Sequence, residues 1–504
     1  MKPEKENSIS SEAFPARAPL SAPRLAIRKR FAAHPLLFGC LFVLQGYAMI
    51  QPMSSPKELL FWLVVVVGAI ALAELIFVLF SQHPSKPALL ASICVIFFFF
   101  FGDWRQILGH WLPPRLATAK WTLPATGIVF TSAFAWVLWS SRAFDTTRRY
   151  LNAVASLLII IPCVRIARGP STPVFPPVEM ASAPMALGSH PPDIYFILTD
   201  AYTSPESLKT YWGYDNSGFV NWLAGRGFHV VKGAHGNSTF TPVCLSTYLS
   251  MNYPAAPPSS WPSVADTAYY SAVIGRSAVP ARLKASGYDL RAYSIFDVAG
   301  EPHFYYVPRV TDPTLGNSLF ERTVLGYGCT YFNHLATGDV NLKLFDLLPR
   351  IAAERSVKPK FVYVHIMMPH FPFLFDAQGH RVKRGLRQED ERPEDYLGQL
   401  IYENTLLTNA VAGILKNSPA PPIIVLQGDH GFREVPGPHR FEEASTILNA
   451  LYLPGSKEDW FYPGMTPVNT FRLIFNHYFG QHYDYVPDII PTNVSPFVVG
   501  PNPN

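Results

Sequence analysis

Charged side chains are sparse: Asp, Glu, Lys and Arg make up 15% of the 504 residues. The net charge of +5 is diffuse, and no block of Lys and Arg interleaves with aromatic residues. A nucleic-acid groove needs such a basic surface, so no nucleic-acid partner is expected. Cysteine is rare as well, five residues in all, which makes no disulfide framework. Cys40, Cys94 and Cys163 fall in apolar runs, where a thiol behaves as a small hydrophobe. Cys244 and Cys329 lie in the later, more polar part, and could pair only in an oxidising compartment. No internal repeat is visible.

The chain is instead rich in aromatics, at 14%, and in long apolar runs. These cover 35–50, 59–80, 88–101, 121–139 and 151–164. A membrane-spanning helix takes about 20 mostly apolar residues. The second and fourth runs meet that length, and the others must recruit their flanks. The expectation is an N-terminal α-helical transmembrane bundle of about five spans over 34–168, behind a basic cytoplasmic tail at 1–33. Arg24, Arg28, Lys29 and Arg30 in the tail, with Arg142, Arg148 and Arg149 before the fifth run, set the orientation. Five crossings then place everything after about residue 168 outside. The protein is expected in the cytoplasmic (inner) membrane as a multi-pass protein with an extracytoplasmic, periplasmic C-terminal domain, and without cleavage of the first run. Glu74 lies inside the second run, suited either to pairing within the bundle or to a role with substrate. The segment 104–121 mixes Trp, Arg and His and reads as an interfacial helix at the outer surface.

Residues 169–192 hold many prolines and form a semi-extended linker. The extracytoplasmic domain then spans 193–504. Strand patterns at 194–199, 228–232, 361–366 and 422–427 alternate with helical patterns at 217–226 and 396–416. That order predicts an α/β domain with a parallel sheet covered on both faces.

Ligands bind such sheets at the carboxyl ends of the strands. Asp200 follows the first strand, Asp429 and His430 follow the last, and His370 sits between Pro369 and Pro372 just beyond the third. Asp200 alone could be a helix N-cap. An adjacent carboxylate and imidazole at a strand tip point to a metal. His365 alternates along its strand, as a core histidine would. A nucleophilic hydroxyl is expected at a helix N-terminus, where N–H groups favour an anion. Thr241 reads as an N-cap with Pro242 as first helical residue. Thr239, Cys244 and Ser246 compete for the role. Asp200, Thr241, Asp429 and His430 would make a mixed oxygen and nitrogen site, suited to Mn²⁺ or Zn²⁺. The cation would activate the attacking oxygen and offset phosphoryl charge.

The stretches PDIYFILTDAY, LSTYLSMNY, FVYVHIMMPHFPFLFD, IIVLQGDHGFRE and LNALYLPG, in this order, resemble the alkaline phosphatase/sulfatase superfamily. The domain looks closest to membrane-anchored sulfatase-like proteins related to lipoteichoic acid synthases and phosphoethanolamine transferases. The resemblance implies Asp200, Asp429 and His430 as metal ligands, and His370, with His365 and His439, as contacts to substrate. It implies a phosphotransferase or phosphodiesterase acting on lipid- or glycan-linked phosphoesters of the cell envelope, with membrane lipid and envelope glycan as partners. Two departures stand out. Ala201 follows Asp200, where sulfatases carry paired acids, and Cys244 lacks the Cys-x-Pro-Ser-Arg context of formylglycine. Strict alignment also puts Val243 at the nucleophile position, so Thr241 needs a small shift. A sulfatase-like hydrolase of phosphate or sulfate esters and a catalytically inactive envelope scaffold are the alternatives.

Overall fold

The structure is a computed structural model that describes residues 32–51, 54–81, 83, 85–113, 116, 119–169, 184–253, 264–300, 315–382, 392–434 and 440–491, with no side-chain description at 119, 120, 264, 265 and 328–336. Most of the tail and linker, and His439, fall outside the described residues.

Six helices make the N-terminal bundle: α1 (His34–Ile50), α2 (Pro56–Phe80), α3 (Lys86–Phe99), α4 (Phe101–Trp111), α5 (Ala119–Trp139) and α6 (Asp145–Arg168). A capping box between Ser55 and Glu58 starts α2, with Pro56 in its first turn. Three helices, α2, α5 from Trp121, and α6, are long and apolar enough to cross a membrane. α3 and α4 meet at a 66° bend and make a fourth crossing only if taken together. α1 has 17 residues, about 25 Å of helix against roughly 30 Å of hydrocarbon. The five apolar runs are mostly helical, and among the described residues three helices, or four with the bent pair, have the length and composition of a crossing, so a fifth crossing is not shown.

The bend has a local cause. The Gly102 N–H, one of the orphan donors that open α4, bonds Arg322 O at 2.9 Å rather than a residue of α3. Beyond the bend, α4 exposes Trp104, Ile107 and Trp111, as an interfacial helix does. Buried Glu74 accepts the N–H of Ala32 at 2.9 Å, just ahead of α1. It anchors the start of the bundle.

The C-terminal part holds a six-stranded sheet: β1 (Ile194–Thr199), β2 (Phe228–Val230), β3 (Asp289–Tyr293), β4 (Lys360–Ile366), β5 (Ile423–Gly428) and β6 (Asn449–Tyr452). Their spatial order is β2-β6-β5-β1-β4-β3. β1 pairs in parallel with β4 and β5, and β3 with β4, while β6 runs against both neighbours. The sheet is thus mixed rather than wholly parallel. β1, β4 and β5 are buried at every position, which is why they read as unbroken apolar runs. One hydrophobic cluster covers each face. Four helices border the strand tips or the junction with the bundle: α7 (Thr241–Ser250), α8 (Leu315–Glu321), α9 (Val324–Ala353) and α10 (Pro393–Asn417).

Candidate metal centre

Strand register brings the acids together. Thr199 pairs with both Ile366 and Gly428, so β1, β4 and β5 end at one level, and Asp200 and Asp429 are the next residues. The Asp200 N–H still bonds Ile366 O at 2.9 Å. Ala201 then turns the chain with φ 66°, and its N–H donates to Asp429 Oδ1 at 3.0 Å. The His430 N–H donates to the same oxygen at 2.8 Å. Tyr248 of α7 donates its hydroxyl to Asp429 O at 2.8 Å. Gly236 passes so close that a Cβ there would lie 2.1 Å from Asp429 O.

This pinning leaves Asp429 Oδ2 free and aims it at two other groups. Donor atoms of Asp200, Asp429 and His430 all lie within 4.8 Å of one another. His430 Nδ1 donates to Gly431 O at 2.6 Å, so Nε2 keeps its lone pair. That nitrogen is 3.5 Å from Asp200 Oδ1 and 3.5 Å from Asp429 Oδ2. Both oxygens are buried and have no hydrogen-bond partner. Buried, unpaired carboxylate oxygens are costly, and a cation between the three atoms would satisfy them all. The residues fit a divalent metal, and two oxygens with one imidazole suit Zn²⁺ or Mn²⁺.

Burial works against charge on Asp200, but His370, His365 and His430 outweigh it and hold the carboxyl below the usual carboxylate range. Burial, together with the Asp200 charge, pushes Asp429 up to about 6. Burial and the Arg433 charge hold the His430 imidazole well below its ordinary value, hence neutral.

The other expected residues separate into near and far. His370 is half-buried, donates from Nδ1 to Phe371 O at 2.6 Å, and has its ring 6.3 Å from that of His430. Both line a cavity of about 200 Å³ with Phe371, Tyr396, Phe432 and Arg433. His365 is not in that cavity. It is fully buried on β4 and its Nε2 lies 3.1 Å from Asp200 Oδ2, so it braces that carboxylate from behind.

Thr241 is the first residue of α7, and Phe240, in extended backbone, is the N-cap, not Thr241. Its hydroxyl is close enough to Asp429 to favour the ionised carboxyl. Cys244 is a free, fully buried thiol, and the side chain of Cys329 lies outside the described residues. It donates to Ser238 O at 3.2 Å, and burial, with the Asp429 charge, pushes its pKa well up. Ser246 turns its hydroxyl back to Val243 O at 2.8 Å.

Two residues were missed. Arg433 donates from Nε to Thr239 O at 2.8 Å and sets Nη2 2.6 Å from His430 Nε2 and Nη1 3.3 Å from His370 Nε2. Its guanidinium covers the lone pair a metal would take, so it must move aside on binding. Gln399, buried on α10, accepts the Leu374 N–H at 2.7 Å and donates to His370 O at 3.1 Å and Pro372 O at 3.2 Å. It clamps the His370 loop. A glutamine within a helical pattern carries no such signal in sequence. Arg433, three residues past His430, stands in a loop without a pattern.

No protein-family model and no curated protein matches the chain. Among solved structures, the C-terminal periplasmic domain of EptC from Escherichia coli, in complex with zinc, is similar over 60% of this chain and 87% of its own, with TM-score 0.37 and 10% identity. The lipooligosaccharide phosphoethanolamine transferase EptA from Neisseria meningitidis is similar over 84% of this chain and 88% of its own, with TM-score 0.35 and 11% identity. A sulfatase-like structure from Bacteroides thetaiotaomicron is similar at TM-score 0.34 and 12% identity, over 58% and 72%.

Proposed function

We propose that the chain is a membrane-anchored, metal-dependent phosphotransferase or phosphodiesterase, working on lipid- or glycan-linked phosphoesters at the outer face of the cytoplasmic membrane. One observation carries this reading: two buried carboxylate oxygens without partners converge at the strand tips on a neutral imidazole nitrogen, itself covered by Arg433, beside a helix that opens on Thr241. Asp200, Asp429 and His430 would hold the cation, with the Thr241 hydroxyl as a further oxygen. When bound, a divalent ion lowers the pKa of a coordinated hydroxyl and offsets charge on a phosphoryl group.

The protein's own groups do the rest. Thr241 Oγ attacks the phosphorus of a phosphodiester such as a phospholipid headgroup. An oxygen–phosphorus bond forms at the threonine and the bond to the diacylglycerol oxygen breaks. That oxygen takes up the proton Thr241 gives up. The resulting threonine phosphodiester, esterified to ethanolamine or glycerol, then passes that phosphoryl group to a hydroxyl of an envelope glycan or lipid: the new oxygen–phosphorus bond forms as the threonine bond breaks, and the acceptor's proton returns to Thr241 Oγ. His370 lines one cavity with His430, and from there it would contact the transferred group. The buried thiol of Cys244, aimed at a backbone carbonyl, argues against cysteine as the nucleophile.

The test is to incubate the purified full-length protein with zinc or manganese and headgroup-labelled phospholipid, then map the label on the 237–251 peptide. Label on Thr241 that depends on metal is the expected outcome. Label on Cys244, or turnover in the presence of chelator, would overturn the assignment.

A further inference from the structure

A second cavity, of about 730 Å³, lies at the seam between the bundle and the outer domain. Its volume falls within the range of small-molecule sites, roughly 300–1,000 Å³. It shares no residue with the candidate metal centre. One wall is α4, another the end of α1 at Met49, and the third the turn from α8 into α9.

Two guanidinium groups define its chemistry. Arg322 is mostly buried and sends Nη2 to both Asp103 oxygens, at 2.8 and 2.9 Å. Its Nη1 is buried without a hydrogen-bond partner. A guanidinium nitrogen lacking an acceptor is destabilising and a phosphate oxygen suits it; closed off toward Gly46 of α1, Nη1 meets one only when the side chain turns to the cavity. Arg105 is held by Tyr327, whose hydroxyl accepts from its Nη1 at 2.8 Å. Glu321 is the other acidic residue of the lining. With two arginines against Asp103 and Glu321, the lining is close to neutral, which favours a singly charged phosphodiester over a doubly charged free phosphate.

The setting favours a lipid as its source. α4 exposes Trp104, Ile107 and Trp111, and tryptophan on an amphipathic helix marks the headgroup level of a bilayer. Met49, half exposed, adds an apolar edge. We propose that this cavity binds the headgroup of a membrane phospholipid, its phosphodiester bridging Arg105 of α4 and Arg322 of the α8–α9 turn. The bound lipid joins the bundle to the outer domain across the seam. This holds whatever reaction the metal centre performs.

The test uses full-length protein in detergent micelles, titrated with dioctanoyl-phosphatidylcholine and followed by native mass spectrometry. Two variants probe the site. Arg105→Gln removes one cation. Gly109→Leu fills the cavity, because a Cβ at Gly109 meets nothing within 4 Å, and Gly109→Ala is the control too small to fill it. The wild type and Gly109→Ala should retain one lipid, with slowed amide exchange over 315–327. Arg105→Gln and Gly109→Leu should bind at least about tenfold more weakly, the worth of one charge-assisted hydrogen bond, at unchanged melting temperature. Equal retention of dioctanoylglycerol, displacement of the lipid by inorganic phosphate, or wild-type binding by both variants would overturn the proposal.

Discussion

Asp429 commits one carboxylate oxygen to two backbone N–H groups and leaves the other buried without a hydrogen-bond partner. Asp429→Asn keeps the shape but removes the charge, so zinc affinity should fall by about 100-fold or more in a calorimetric titration. The same carboxyl sets a pH dependence. In the metal-free protein its pKa is raised to about 6, and a cation requires it deprotonated. Zinc affinity should therefore be full above that pH and drop by about tenfold per unit below it, as protons compete for the ligand. Thr241→Val should abolish turnover while the protein still unfolds cooperatively, whereas Cys244→Ser should leave turnover within about threefold, since the thiol is turned from the site. The cluster of Asp200, Asp429 and His430 was legible from sequence because Asp200 and the Asp429-His430 pair each follow an apolar strand. The role of His365 was not, because the same alternation describes a core histidine and one that supports a ligand. Only the 3.1 Å approach to Asp200 separates them.

The loop that carries His370 is organised by a helix that begins about twenty residues later in the chain. Gln399 on α10 bonds its backbone through both ends of the amide. Replacing Gln399 with Leu strands those buried groups and should cost about 2–3 kcal/mol in urea unfolding. Faster amide exchange at Leu374 would locate the damage in the loop. Strands β1, β4 and β5 and helix α10 were visible as apolar runs and a 3.6-residue period. The reversed direction of β6 was not, since a four-residue strand buried at three positions reads the same either way. Nor was the start of α7: Thr241-Pro242 is a strong cap signal, yet extended backbone at Phe240 puts the boundary one residue earlier.

Across the whole molecule, the C-terminal domain docks on the bundle through α8 and the start of α9. Leu315 and Leu319 pack into the core of α1 and α2, and a Cβ at Gly316 would fall 2.5 Å from the Trp62 ring. Gly316→Leu should therefore loosen the seam, seen as faster proteolysis near 315–327, while zinc binding at the distant strand tips stays intact. The apolar runs made the membrane region plain in sequence. How many of them cross was not, because α1 is short and α3 bends into α4 at an aromatic run whose one breaker, Gly102, is also tolerated inside a helix.

The most direct measurement is the metal content of the purified full-length protein after equilibration with zinc and desalting, compared with Asp200→Asn and Asp429→Asn proteins that melt as the wild type does. About one equivalent in the wild type, lost in both variants, is expected of a site made from three convergent ligands. A wild type that retains no metal, or variants that retain as much, would contradict it.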